Sequence, residues 1–249
     1  MYSIDINCDL GEGNNIEDCN QDRRLMPYIS SCNIACGGHA GNQLTMTQSV
    51  KNAISHNLKI GAHPSYPDPE NFGRKSMVIE LPDLKKSIEL QIDKLKSILL
   101  EQGKELNHIK FHGALYNDIE SNPTLASELG DFCHKYYPEA KLMGLSNGNL
   151  TAFCSNRKLP FIAEGFMDRR YQSNGQLVSR KEASAVIEHV DNVVEQALSF
   201  ILNKEITTID NQPLSIKTDS LCLHGDNPNA LSIAKRLNQE MINFNIKFL

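Results

Sequence analysis

Lys110 and His112 stand two residues apart in the stretch IKFHGALYN, residues 109–117. The stretch reads as a short strand running into a helix. On a strand alternate residues share a face, so the lysine and the histidine point one way, and Ile109 and Phe111 the other. Burying an ammonium beside an imidazole is costly unless each finds a partner. Such pairs belong either to salt-bridged cores or to sites that act on ligands. The same placement, a polar side chain at the C-terminal end of an apolar strand, recurs at Asp9, His39, His63, Glu164 and His224. A lone histidine is ordinary packing; four at equivalent positions point to one site. Carboxylates, imidazoles and a lysine in one place suit proton transfer, anion binding or a divalent metal.

The elements that must position these residues follow from periodicity. In YSIDINCD (residues 2–9), Ile4, Ile6 and Cys8 share one face and Asp5, Asn7 and Asp9 the other. Acids repeated along a strand face are unusual for a core. The D-x-N-x-D string is no calcium loop: its glycine falls one place late, at Gly11, and the twelfth place holds Ile16 instead of Glu. Glu12 sits in the turn between Gly11 and Gly13, and a polar loop is expected to about Asp22, then a short helix at 24–28. A second strand, 31–36, opens into Gly37-Gly38-His39-Ala40-Gly41-Asn42. The Gly37 and Gly38 amides are candidates for an anion at a helix start, although no Lys-Ser/Thr follows as in a Walker loop.

A helix is expected at 42–56, a third strand at 58–62 with His63 at its end, and then Arg74-Lys75, adjacent cations suited to a carboxylate or phosphate. Leu84, Ile88, Ile92, Leu95 and Leu99 mark a helix over 82–102. His108 precedes the fourth strand and is read as structural, and Asn122-Pro123 starts a helix. Strands follow at 141–145 and 159–163, with Glu164 at the end and Asp168-Arg169 just beyond. Asn174-Gly175 signals a hairpin excursion. A long helix at 182–203, a second hairpin at 206–216, a last strand at 220–223 and a final helix after Asn227-Pro228 complete the pattern.

Strand, polar residue and helix alternate about seven times. That predicts an α/β chain folded as a distorted TIM-like barrel of about seven parallel strands, one domain over 1–249, with the polar strand ends on one rim. Lys and Arg total 25 against 30 Asp and Glu, a net charge of −5 without a basic stripe or a tryptophan. Nucleic acid and anionic membranes are poor partners for such a chain. With no leader and no spanning apolar run, a cytoplasmic location is expected. Seven irregularly spaced cysteines imply reduced thiols. Cys32, Cys36 and His39 form only a metal corner, because no second ligand pair closes a structural zinc site.

With these residues assembled, the chain resembles the family of 5-oxoprolinase A subunits, also called lactam utilisation proteins. The markers are NCDLGEG (7–13), LMPYISSCNIACGGHAGN (25–42), GAHPSYPD (61–68), FGRKSM (72–77), IKFHGALYN (109–117), EGFMDRRY (164–171), LVSR (177–180) and CLHGDNP (222–228). The family more often has Phe, Asp, Arg and Pro where this chain has Gly38, Asn42, Lys75 and Phe111. The resemblance implies a barrel related to polysaccharide deacetylases. It also implies ATP-dependent opening of 5-oxoproline to L-glutamate together with subunits B and C. On that reading Asp9, Lys110, His112 and Glu164 are the catalytic candidates. Asn7, Glu12, His39, His63, Arg74, Asp168, Arg169 and His224 are the substrate-binding candidates. ATP is consumed by the complex, yet no nucleotide motif is recognisable here. No residue is assigned to a metal, although His39, His63 and His224 leave a divalent ion open. The rival readings are a metal-dependent deacetylase or amidohydrolase and a non-catalytic lactam-binding component.

Overall fold

The structure, a computed structural model, describes residues 2–249. Seven parallel strands close on themselves: β1 (Ser3–Leu10), β2 (Ser31–Ala35), β3 (Lys59–His63), β4 (His108–Lys110), β5 (Lys141–Leu145), β6 (Phe161–Phe166) and, after the β7–β8 hairpin (Ile206–Thr207, Pro213–Leu214), β9 (Ser220–Leu223), which pairs with both β6 and β1. This is the expected TIM-like α/β barrel with its edges removed by closure. A final strand, β10 (Lys247–Phe248), adds to the start of β1; the sequence pattern does not anticipate it.

The helices are α1 (Ile16–Asp22), α2 (Gln43–Ser55), α3 (Leu81–Glu101), α4 (Gly113–Ser121), α5 (Pro123–Tyr136), α6 (Asn149–Arg157), α7 (Val190–Ile201) and α8 (Ala230–Asn243). They bury apolar stripes against the outward strand faces; α3 contributes Leu84, Ile88, Ile92, Leu95 and Leu99, as expected. Among the described residues, no helix is long and apolar enough to cross a membrane.

Three elements differ from the sequence reading. Residues 16–22 are helical, because Asn15 and Asp18 form a capping box; only Cys19 is buried, so no apolar stripe marks the helix. The helix expected from 182 starts at Val190. The residues before it lie along 168–170 instead: Arg170 N–H donates to Ala185 O and Ile187 N–H to Asp168 O, and Ser184 has φ 65°, outside the helical region. Glu164 lies within β6 instead of beyond a strand ending at 163.

The barrel interior is polar, whereas most such barrels fill it with branched apolar side chains. Asp5, Asn7, Ser31, Asn33, His108, Lys110, Glu164 and Ser220 are all buried. The Asp-Asn-Asp face of β1 is therefore the inner wall. Gly61 makes room for it: a Cβ there would lie 2.2 Å from His108 Nε2. All seven cysteines are buried and free. Burial pushes the Cys36 thiol up to about 12, and it donates to Ile34 O at 3.0 Å.

Candidate functional site

Every strand of the barrel ends at one rim, and the polar residues singled out by position meet there or just beneath it. At the centre lies Lys110. Its ammonium donates to Asp9 Oδ1 at 3.0 Å and to Asn7 Oδ1 at 3.2 Å, and stands 2.8 Å from Glu164 Oε1 and 3.2 Å from Cys222 Sγ. Glu164 also accepts from Asn7 Nδ2 at 3.0 Å and from the Tyr116 hydroxyl at 3.1 Å. Asn33 Nδ2 donates to Asp9 Oδ1 at 2.7 Å, and Asn33 is itself held through Oδ1 by His108 Nε2 at 2.7 Å. Burial pushes the Asp9 carboxyl up, but His63 and Lys110 beside it outweigh that and hold it well below the usual range. Burial likewise opposes charge on Lys110, and Asp9, Cys222 and Glu164 together raise it above its ordinary value. Asp9 is thus an anion and Lys110 a cation.

A second group stands on the β2 and β3 side. His39 and His112 stack with ring centroids 3.6 Å apart, and His63 meets His112 edge-on at 4.8 Å. His39 Nε2 lies 3.2 Å from Glu12 Oε1, His112 Nδ1 3.5 Å from the same oxygen, and His63 Nε2 3.4 Å from Asp9 Oδ2. Desolvation lowers the His39 and His112 pKa values, keeping those rings neutral. Tight turns pack this group. Gly73 and Gly113 have φ of 60° and 59°, and Ala114 N–H donates to Gly73 O, drawing the loop after β3 against the start of α4. A Cβ on Gly113 would sit 2.6 Å from Gly73 O.

A third group is the Asp168–His224 dyad. His224 Nδ1 contacts both carboxylate oxygens, at 2.8 and 3.0 Å, and Asn227 Nδ2 donates to Oδ2 at 3.4 Å. Burial pushes the Asp168 carboxyl up, but the His224 ring and these hydrogen bonds hold it below its ordinary value. Because Nδ1 is committed to Asp168, His224 keeps Nε2 for another partner.

A cleft of about 580 Å³ opens over these groups. Asp9, Glu12, His63, Arg74, Lys110, His112, Arg169 and His224 line it; Asn7, His39, Glu164 and Asp168 do not. Those four support the lining from behind. One expectation changes. The Gly37 amide donates to Ala40 O at 2.8 Å, and Gly38 is buried where Gln91 Oε1 would meet a Cβ at 2.2 Å, so this turn places His39 and cradles no anion. Gln91 fills the volume that a Phe at position 38 would need. Arg74 pairs with Asp226 across the rim, tying the loop after β3 to the loop after β9. Reasoning from strand ends passes over Asn33, Tyr116, Arg180 and Lys181. Asn33 alternates with Ser31 on an otherwise apolar strand, and Tyr116 lies one helical turn after His112, so both carry a readable signal. Arg180 and Lys181 line the cleft from an irregular segment that no periodicity marks.

Known proteins share this architecture and much of the sequence. The chain is 36% identical over 247 residues to the A subunit of 5-oxoprolinase from Haemophilus influenzae (strain PittGG), covering 99% of each. It is 34% identical over 238 residues to the corresponding 5-oxoprolinase chain of Bacillus cereus (strain 03BB102), covering 95% of this chain and 94% of that one. The crystal structure of a lactam utilization protein from Thermus thermophilus superposes with a TM-score of 0.91 at 28% identity, over 99% of this chain and 98% of that one. A family 4 carbohydrate esterase from Streptomyces lividans shares the fold at a TM-score of 0.51 and 10% identity, over 98% and 90% of the two chains. Residues 4–249 match the LamB/YcsF family along nearly the whole sequence, and the chain belongs to that family.

Proposed function

We infer that this chain hydrolyses a cyclic amide, opening 5-oxoproline to L-glutamate in an ATP-dependent reaction as the A component beside two further subunits, B and C. The observation that carries this reading is the convergence of the Asp168–His224 dyad and the Lys110-anchored Asp9 carboxylate on one cleft, in a chain this similar to proteins named as 5-oxoprolinase A subunits. A five-membered lactam is an unactivated amide. Transfer of a phosphoryl group from ATP to its oxygen releases ADP and leaves an imidate-like carbon. Water adds to that carbon, and the tetrahedral adduct collapses with cleavage of the carbon–nitrogen bond, the ring nitrogen taking a proton to become the glutamate amine and the carbon becoming an acyl phosphate. A second water hydrolyses the acyl phosphate, releasing phosphate and leaving the side-chain carboxylate.

His224 Nε2 removes the proton from the attacking water, and Asp168 stabilises the imidazolium that forms. The same imidazolium returns the proton to the ring nitrogen. Asp9, ionised and fixed by Lys110 and Asn33, accepts a hydrogen bond from the water or the ring N–H. Lys110 has its carboxylate partners within the cluster, and Glu164 lies wholly buried beneath it; both act by holding Asp9. Arg180 and Lys181 at the cleft wall suit the substrate carboxylate and the transferred phosphate.

The test measures glutamate release from 5-oxoproline and ATP with subunits B and C present. Changing His224 to Ala is expected to lower kcat about 10²–10⁴-fold, the usual worth of a positioned acid–base group. Wild-type turnover in that variant, or full turnover by the partners without this chain, overturns the assignment.

A further inference from the structure

The hydrogen bonds around His63 and His112 fix their tautomers and leave a contradiction that a cation resolves. His63 Nδ1 lies 2.8 Å from the Lys110 carbonyl, and His112 Nε2 lies 3.0 Å from the Phe72 carbonyl. A carbonyl only accepts, so each of those nitrogens carries the hydrogen. In the neutral form of each ring the other nitrogen is a lone pair. Yet His63 Nε2 and His112 Nδ1 face each other at 3.0 Å. His63 Nε2 also faces the Asp9 carboxylate, and His112 Nδ1 faces the Glu12 carboxylate. Donor-free atoms this close require positive charge among them.

We propose that Glu12, His39, His63 and His112 bind a divalent transition-metal ion of the zinc class. Ligand atoms about 2.1 Å from a tetrahedral ion lie about 3.4 Å from one another. Three separations here bracket that value: 3.0 Å for His63 Nε2 to His112 Nδ1, 3.2 Å for His39 Nε2 to Glu12 Oε1, and 3.5 Å for His112 Nδ1 to Glu12 Oε1. One ligand atom from each of the four residues lies within 4.8 Å of all the others. A proton on His63 Nε2 relieves the contacts with His112 and Asp9 but leaves Glu12 and His39 outside it, whereas one ion engages Glu12 and all three rings. Three imidazoles and one carboxylate favour a borderline ion over magnesium or calcium, which prefer all-oxygen shells.

The surroundings fit the same ligand. The Lys110 and Phe72 carbonyls are the outer partners that orient ligating histidines. His39 Nδ1 is buried without any hydrogen-bond partner, as expected of a ring held by packing and by its other nitrogen. Glu12, His63 and His112 line the cleft, which supplies an entry path. The ligand set leaves the Asp168–His224 dyad free, and binding is read directly, so its outcome does not depend on the reaction proposed above.

The experiment strips the purified full-length chain with a chelator and titrates it with zinc by calorimetry, with bound metal counted by elemental analysis. One equivalent of zinc is expected, undisturbed by excess magnesium. His63→Ala and His112→Ala are each expected to weaken binding at least about 10-fold, and His56→Ala, outside the cluster, to leave it unchanged. Glu12→Gln alters a partly exposed side chain and keeps the test decisive if a buried histidine variant fails to fold; it too should bind zinc more weakly. Absence of stoichiometric zinc in the wild-type chain overturns the proposal. So does wild-type affinity in the Glu12 and histidine variants.

Discussion

Replacing Lys110 with Met tests whether the buried ammonium holds the two carboxylates in place. Methionine keeps most of the volume and removes the charge. Lys110 Nζ lies 3.0 Å from Asp9 Oδ1 and 2.8 Å from Glu164 Oε1, with the lysine and Glu164 buried. Gross attraction at such distances exceeds about 4 kcal/mol per pair at an effective dielectric constant of 20, but desolvation cancels much of it. What remains on deletion is two carboxylates left without their common cation. Breaking a buried pair in this way costs about 3–5 kcal/mol. For a chain of this size that corresponds to a fall in Tm of roughly 6–20 °C. Adding Glu164→Gln to Lys110→Met removes one of the stranded charges. The new amide still accepts from Asn7 through its carbonyl, and its NH₂ donates to the Tyr116 oxygen. The double variant should therefore regain about 1–3 kcal/mol relative to the sum of the single changes, as neighbours in one network do. Urea unfolding of the four proteins measures this cycle. Additive losses, or a Lys110→Met variant within about 1 kcal/mol of wild type, would refute the idea that Lys110 stabilises the cluster.

Two further outcomes follow from single side chains. Burial pushes the Glu120 carboxyl from 4.5 up to about 7, against the lowering effect of the Leu150, Leu145 and Asn149 N–H groups. Its folded pKa exceeds its unfolded one, so the stability it allows is full below about pH 4.5 and is lost as pH rises through 7, by about 3 kcal/mol. Glu120→Gln should escape that loss, gaining on wild type between pH 5 and pH 8 in urea unfolding; parallel pH profiles would count against it. Gly61→Ala should destabilise by about 1–3 kcal/mol, because the new Cβ would lie 2.2 Å from His108 Nε2 in a filled interior. Unchanged thermal unfolding in that variant would show that the His108 ring has room to move.

The barrel is legible in the sequence because its strands are short apolar runs ending in polar residues, and the rim is legible because those endings repeat. Asp9, His63, His112 and His224 can be placed at one mouth without coordinates for that reason. Boundaries slip where tertiary contacts override the local pattern. Residues 182–189 carry a pattern compatible with helix, but pairing with Asp168 and Arg170 satisfies their backbone instead. α1 escapes the periodicity because a capping box, and no apolar stripe, defines it. Tautomers are out of reach: which nitrogen of His63 or His112 carries hydrogen depends on the Lys110 and Phe72 carbonyls, and each of these belongs to a different element from the ring it holds.

The polar interior explains how so many ionisable groups are tolerated beneath the rim. Asp5 accepts from the hydroxyls of Ser30, Ser31 and Ser220 at 2.7, 2.6 and 2.5 Å. Asn7 Nδ2 donates to Ser220 at 2.8 Å and to Glu164, while its carbonyl accepts from Asn33 and Lys110. Asn33 and Lys110 then hold Asp9. The chain of bonds runs from the closed end of the barrel to the cleft with its donors and acceptors paired. A paired network in a low-dielectric interior is rigid, and an incomplete one is costly. The interior therefore gives up apolar packing to fix the Asp9 carboxylate at one point on the cleft floor. This also accounts for the alternation in β1: Ile4, Ile6 and Cys8 face the helices while Asp5, Asn7 and Asp9 descend the inner wall. An acid-bearing strand face in a parallel barrel thus marks the support of a site as well as the site itself.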